Sequence, residues 1–203
     1  MQEIKEHRTY SKKDFIGCYK MDNKLIDAIL QWKTNNSHLG NKTILKNDPT
    51  SKGPSKVCTE WGIDNDNRFY PWNHYVEALR NCFASYFKTY DNAKTMGLPL
   101  SIEHYNLQHY KPGEGFYLWH KENNGFGKSV FRHIVFMTYL TDTPDGGTEF
   151  QEQNLKVACE KGVTLIWPAG WTHTHRGQIS TTYEKTIVTG WLSFLAEKSP
   201  GKD

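Results

Sequence analysis

Paired cysteines, runs of a single charge sign, long apolar stretches and internal repeats are all missing from this chain, and each absence closes a class of reading. Cys18, Cys58, Cys82 and Cys159 lie far apart with no C-x-x-C spacing, which argues against a zinc knuckle or a disulfide framework and leaves reduced, mostly buried thiols as the expectation. With 25 basic against 22 acidic side chains and no long run of one sign, nothing in the charge favours a nucleic-acid or membrane partner. No apolar stretch reaches spanning length, and MQEIKEHRTYSKKDF has neither an apolar centre nor a small-residue cleavage site. A soluble, cytoplasmic protein acting on a small or locally presented substrate is the expectation.

What is present suits a packed enzyme-sized unit. The 203 residues fit one domain, 1–203, and the 14% aromatic content fits a dense core with a recessed site. Leu25, Ile26, Ile29 and Leu30 recur at helical spacing within 21–32, with Asp22 or Asn23 as N-cap. Tyr75, Leu79, Phe83, Tyr86, Phe87 and Tyr90 mark one face of a second helix over 72–90. NDPTSKGPSK, 47–56, is dense in turn formers and reads as a surface loop. Residues 1–97 are thus expected to be mostly helical support. Beyond Gly97 the texture changes to short aromatic and β-branched runs broken by KPGEG, NNGFG, PDGG, EKG and PAG, a β-rich pattern. Strands are expected near 101–109, 116–122, 131–140, 147–151, 163–167, 173–177 and 185–195, so the fold class is α+β, mainly β, with 98–197 as a β-sandwich core.

Chemistry-bearing residues gather in that second half. In FYLWHKENN, His120 and Glu122 stand two apart on an expected strand and so project from one face. By itself H-x-E describes a solvated strand face more often than a chelate. A third ligand is available from His173 or His175 in WTHTHRG, which strand alternation places on the same face as each other. Two imidazoles and one carboxylate on a face of octahedral Fe(II) leave three positions open. The same three donors also suit a hydrolytic zinc ion. In YEKTIVTGWLSF, alternation puts Lys185, Ile187, Thr189, Trp191 and Ser193 on one face. A lysine facing inward is costly unless an anion meets it, and a dicarboxylate is such an anion.

These residues resemble the iron(II)- and 2-oxoglutarate-dependent oxygenases, in particular the prolyl 4-hydroxylase-like branch with its double-stranded β-helix (jelly-roll, cupin-like) core. YKPGEGFYLWHKE, FRHIVFMTYLTDTPDGGTEF, GVTLIWPAGWTHTHRG and YEKTIVTGWL carry the likeness, in the family's order. The resemblance implies that His120, Glu122 and His175 are catalytic iron ligands, Glu122 standing where the family usually has aspartate. It favours His175 over His173 because His175 lies ten positions before Lys185, the family's usual spacing. By the same resemblance Lys185 pairs with the far carboxylate of 2-oxoglutarate, Thr189 supports it, and Tyr110 and Tyr139 line the co-substrate pocket. Gly146 and Gly147 would serve the backbone, and Trp191 would lie near the metal. His104, His109 and His133 are read as structural.

The implied reaction hydroxylates a substrate C–H with Fe(II), 2-oxoglutarate and O2, releasing succinate and carbon dioxide, with ascorbate as a possible auxiliary reductant. A prolyl residue in a peptide or protein is the expected substrate, a free amino acid or small metabolite the runner-up. A zinc hydrolase and a non-catalytic jelly-roll binding module remain open on sequence alone. ENNGFGKS, 122–129, and the loop around 47–60 are candidate covers for the site entrance.

Overall fold

The computed structural model describes residues 6–46, 53–94 and 99–195. After β1 (Gly17–Lys20) comes α1 (Asn23–Asn35), whose N-terminus is capped by the Asp22 carboxylate accepting from Lys24 N–H at 2.9 Å. Then follow β2 (Asn41–Leu45), β3 (Lys56–Ile63) and α2 (Trp72–Thr89). The remaining strands are β4 (Leu100–Ile102), β5 (Tyr105–Tyr110), β6 (Gly115–Phe116), β7 (Arg132–Tyr139), β8 (Thr143–Phe150), β9 (Leu155–Cys159), β10 (Val163–Pro168), β11 (His175–Gly177) and β12 (Lys185–Phe194).

Among the described residues these form a nine-stranded sheet of order β1-β10-β7-β12-β5-β3-β2, with β4 on β12 and β6 on β3, facing a three-stranded sheet β11-β8-β9. All the pairings are antiparallel. This is the jelly-roll architecture, two sheets wound around a common interior.

Strand alternation divides the core in two. On β7, Ile134 and Phe136 pack toward the helices against Tyr75, Leu79 and Phe83, while Val135, Met137 and Tyr139 turn inward with Phe150, Leu165 and Trp167. The helices stay docked because their apolar stripes have nowhere else to go. Ile26, Ile29, Trp72, Tyr75, Leu79 and Tyr86 are all fully buried. Truncating a buried ring such as Phe136 to alanine typically costs about 3–5 kcal/mol.

Two expectations need correction. The first half of the chain is not helical support alone: α1 and α2 are its largest elements, but β1 pairs with β10 at one edge of the large sheet, and β2 and β3 extend the other beyond β5. KVCTEWGI shows the reason, since Lys56, Cys58 and Ile63 are buried and Gly62 is exposed, a strand half-covered on one face. The expected strand 116–122 is reduced to Gly115–Phe116, while β9, with charged Lys156 near its start, was not expected. The loop expected at 47–56 falls largely on 47–52, outside the described residues, and Lys56 already opens β3.

Candidate active site

Although His120 lies outside any regular strand, its backbone is held as firmly as in one. His120 N–H donates to the His175 carbonyl and His175 N–H donates back to that of His120, both at 2.9 Å. Glu122 N–H donates to the Ala169 carbonyl at 3.2 Å. The three residues therefore converge without the alternation expected of them.

Each imidazole has its Nδ1 committed. His120 Nδ1 lies 3.0 Å from the Leu118 carbonyl oxygen and His175 Nδ1 lies 2.9 Å from that of His173. A carbonyl only accepts, so each Nδ1 carries the proton and each Nε2 turns a lone pair inward. Both Nε2 atoms lie 3.5 Å from the same oxygen, Glu122 Oε1. Burial raises the Glu122 pKa, and it is positive charge on the imidazole side, from protons on the Nε2 atoms or from a cation in their place, that holds it well below the usual carboxylate range. Burial pulls the His175 pKa down, so its neutral, ligating form is favoured. Two lone pairs aimed at one carboxylate oxygen repel unless a cation lies among them, so the donor set fits a divalent metal.

Above these donors lies a recess lined by Gln108, Tyr110, Phe116, Met137, Tyr139, Thr148, Trp167, Gly177, Lys185, Ile187, Thr189 and Trp191 along with the three residues. Register explains the lining: Lys185 pairs with Tyr110, and Ile187 pairs with Gln108 on one side and Tyr139 on the other. The Lys185 ammonium is buried, donates to the Gln178 carbonyl at 3.0 Å, and has its pKa pulled down by burial to about 8. It has no carboxylate partner among the described residues, and so fits an anion arriving from outside. Gly147 stands next to Thr148 of that lining. A side chain there would collide with the Val157 carbonyl oxygen, so the two strands of the small sheet close only over a glycine.

Of the expected site residues, the structure gathers His120, Glu122, His175, Lys185, Tyr110, Tyr139, Thr189 and Trp191 around one recess. Tyr110 and Thr189 spend their hydroxyl protons elsewhere, on Gln108 Oε1 and on the Phe136 carbonyl at 3.1 Å. Tyr139 O lies 2.6 Å from Thr148 Oγ1. The expected shared face of His173 and His175 is corrected. Trp171–His173 is a 3-10 turn rather than strand, and His173 points away, its Nε2 2.7 Å from the Asp14 carbonyl oxygen. His104, His109 and His133 bond to Asp64, Thr186 and the Ala93 carbonyl and stay outside the recess. Of 122–129 only Glu122 lines the recess. Gln108, Phe116, Met137, Thr148 and Trp167 were missed; the inward parity of β5 and β7 was the available signal for Gln108 and Met137.

A jelly roll enclosing two imidazoles, a carboxylate and a buried lysine is an arrangement that fits a non-haem metal oxygenase of the double-stranded β-helix class. Residues 105–193 match the 2OG-Fe(II) oxygenase superfamily. Those residues form a domain of that superfamily, and the protein is an enzyme that uses Fe(II), 2-oxoglutarate and O2. No curated protein matches the sequence. Solved structures share the fold. A collagen prolyl hydroxylase of Paramecium Bursaria Chlorella virus-1, in complex with 2-oxoglutarate, superposes with a TM-score of 0.65 at 14% identity, covering 89% of this chain and 97% of its own. A prolyl-4-hydroxylase of Pseudomonas putida gives 0.67 at 14%, covering 90% and 94%. A Trichoplax adhaerens prolyl hydroxylase with a hypoxia inducible factor peptide fragment gives 0.62 at 14%, covering 89% and 84%. Among the described residues no helix is long and apolar enough to cross a membrane.

Proposed function

We propose that His120 Nε2, Glu122 Oε1 and His175 Nε2 hold the iron, that Lys185 anchors the far carboxylate of 2-oxoglutarate, and that the enzyme hydroxylates a prolyl residue in a peptide. The observation that carries the site is the shared Glu122 Oε1, 3.5 Å from both inward-facing Nε2 atoms, with a buried ammonium in the same recess that has no carboxylate partner among the described residues. When bound, iron supplies redox chemistry with O2 while 2-oxoglutarate leaves as succinate and carbon dioxide.

The protein's part is positioning and exclusion. The Leu118 and His173 carbonyls keep both imidazoles in the ligating tautomer. Lys185 gives a dicarboxylate one orientation, because among the described residues no second ammonium lines the recess. Phe116, stacked on His120 with centroids 3.7 Å apart, and Trp167, 5.0 Å from the His175 ring, keep water from the ligands.

Fold likeness to prolyl hydroxylases supports a peptidyl-proline substrate. So does the half-exposed Trp119, beside His120, with the Arg176 guanidinium, itself paired with Glu149 at 2.8 Å, 4.4 Å from its ring centre, an aromatic surface with a polar edge suited to an extended chain. Anaerobic titration with Fe(II) and 2-oxoglutarate tests the site through the metal-to-ligand charge-transfer band; a folded protein without the band would overturn it. Succinate release with proline-containing peptides tests the substrate. Turnover with free amino acids and none with any such peptide would refute it.

A further inference from the structure

The two oxygens of Glu122 are handled by different groups. Oε1 faces the two imidazoles, whereas Oε2 accepts from the Trp191 indole N–H at 2.9 Å and lies 3.5 Å from Arg132 Nη1. Arg132 is itself locked from several sides. Its guanidinium carbon sits 3.4 Å from the centre of the Trp191 ring, its Nη1 donates to the Glu122 backbone carbonyl at 3.3 Å, and its Nε lies 3.5 Å from Glu103 Oε1. Glu103 is held in turn by the Ser193 hydroxyl. A cation stacked on an aromatic face, bonded at Nη1 and facing a carboxylate at Nε, has little freedom left.

A glutamate needs such a restraint. With three side-chain torsions and two equivalent oxygens, a free Glu122 carboxylate is able to swing, or to present both oxygens to a metal and block a position that the reaction needs open. We propose that Trp191 and Arg132 are positioning residues that capture Oε2, so that Glu122 offers the metal one oxygen only. The inference rests on the His120, Glu122 and His175 site and deepens it: the chain carries a two-point clamp behind its carboxylate. An aspartate at 122, one methylene shorter, would fail to reach the imidazole side and the indole together.

Titration of the metal-free protein with Co(II), followed by ligand-field absorption, tests the clamp without turnover. Wild type is expected to bind Co(II) and His175→Ala to lose it; if His175→Ala still binds, the site reading fails rather than the clamp. Trp191→Phe and Arg132→Met should each weaken Co(II) binding about ten-fold or more, in the range seen when groups holding a metal ligand are removed. Both should also alter the Co(II) spectrum as the carboxylate changes its mode. Because Trp191→Phe and Glu122→Asp remove the same restraint, the double variant should lose less than the two single losses combined. Thermal unfolding identifies variants that fold, and Arg132→Met carries the test if Trp191→Phe does not. Affinity and spectrum in the folded variants matching wild type, or full additivity in the cycle, would overturn the proposal.

Discussion

Lys185 and Tyr110 are register partners across β12 and β5, and the lysine Nζ stands 5.2 Å from the centre of the tyrosine ring. Among the described residues the aromatic face and one carbonyl are what this ammonium touches, with Asp145 attracting it without an ion-pair contact, so in the ligand-free protein it is an under-compensated buried charge. Opposite effects on stability and on binding follow from that.

Replacing Lys185 with methionine should raise ligand-free stability by about 1–3 kcal/mol, since an apolar side chain of similar length fills the space without desolvating a charge. The same change should weaken 2-oxoglutarate about 100-fold or more, as loss of a buried charge-assisted contact does. Thermal unfolding and calorimetric titration on one sample read the two effects together.

The lysine also sets a pH window. Burial lowers its native pKa to about 8 from an ordinary 10.5, so between those values the unfolded chain holds more protons. Ligand-free stability should therefore rise from pH 8 toward 10.5, while 2-oxoglutarate binding, which needs the ammonium, weakens over the same range. Calorimetry at about pH 8.5 in buffers of different ionisation enthalpy should show proton uptake on binding, and none in Lys185→Arg, whose guanidinium stays charged.

His173 and His175 separate cleanly. His175→Ala should abolish metal binding. His173→Ala should keep the metal and cost about 1–2 kcal/mol, because it unties the Asp14 carbonyl and leaves that part-buried acceptor without its donor. Metal titration beside thermal unfolding distinguishes them.

Thr189→Val should leave 2-oxoglutarate affinity within about two-fold and cost about 1 kcal/mol of stability, since its hydroxyl is bonded to the Phe136 carbonyl. A large loss of affinity would mean that the hydroxyl turns to the co-substrate.

Gly147→Ala should lower stability by about 1–3 kcal/mol, the usual cost of overpacking, by driving a methyl into the Val157 carbonyl. A drop in the unfolding midpoint measures it.

Much of this was legible because strand parity survives folding wherever a strand is real. Lys185, Ile187, Thr189 and Trp191 share a face as their spacing requires, and all line the recess. His175 followed from its distance to Lys185, a spacing rule that parity lacks. Parity misled where backbone leaves the pleat: the Trp171–His173 turn rotates His173 away from its neighbour. It was unneeded at His120, where reciprocal bonds to His175 stand in for a strand. The early strands were hidden for another reason. GCYK and NKTIL are short and separated by helix, so neither has the paired hairpin punctuation that marks β-structure in the second half.

The pairings of those early strands also bear on how the enzyme is handled. β1 covers one border of the large sheet at β10, and β3 covers the other at β5. The family match begins only at Tyr105. Cut out at that point, the chain would keep every metal-facing group yet bare two rows of unsatisfied amides and carbonyls, a template for sheet-to-sheet aggregation. The shortest recognisable oxygenase segment and the shortest soluble one are therefore expected to differ by most of the first hundred residues.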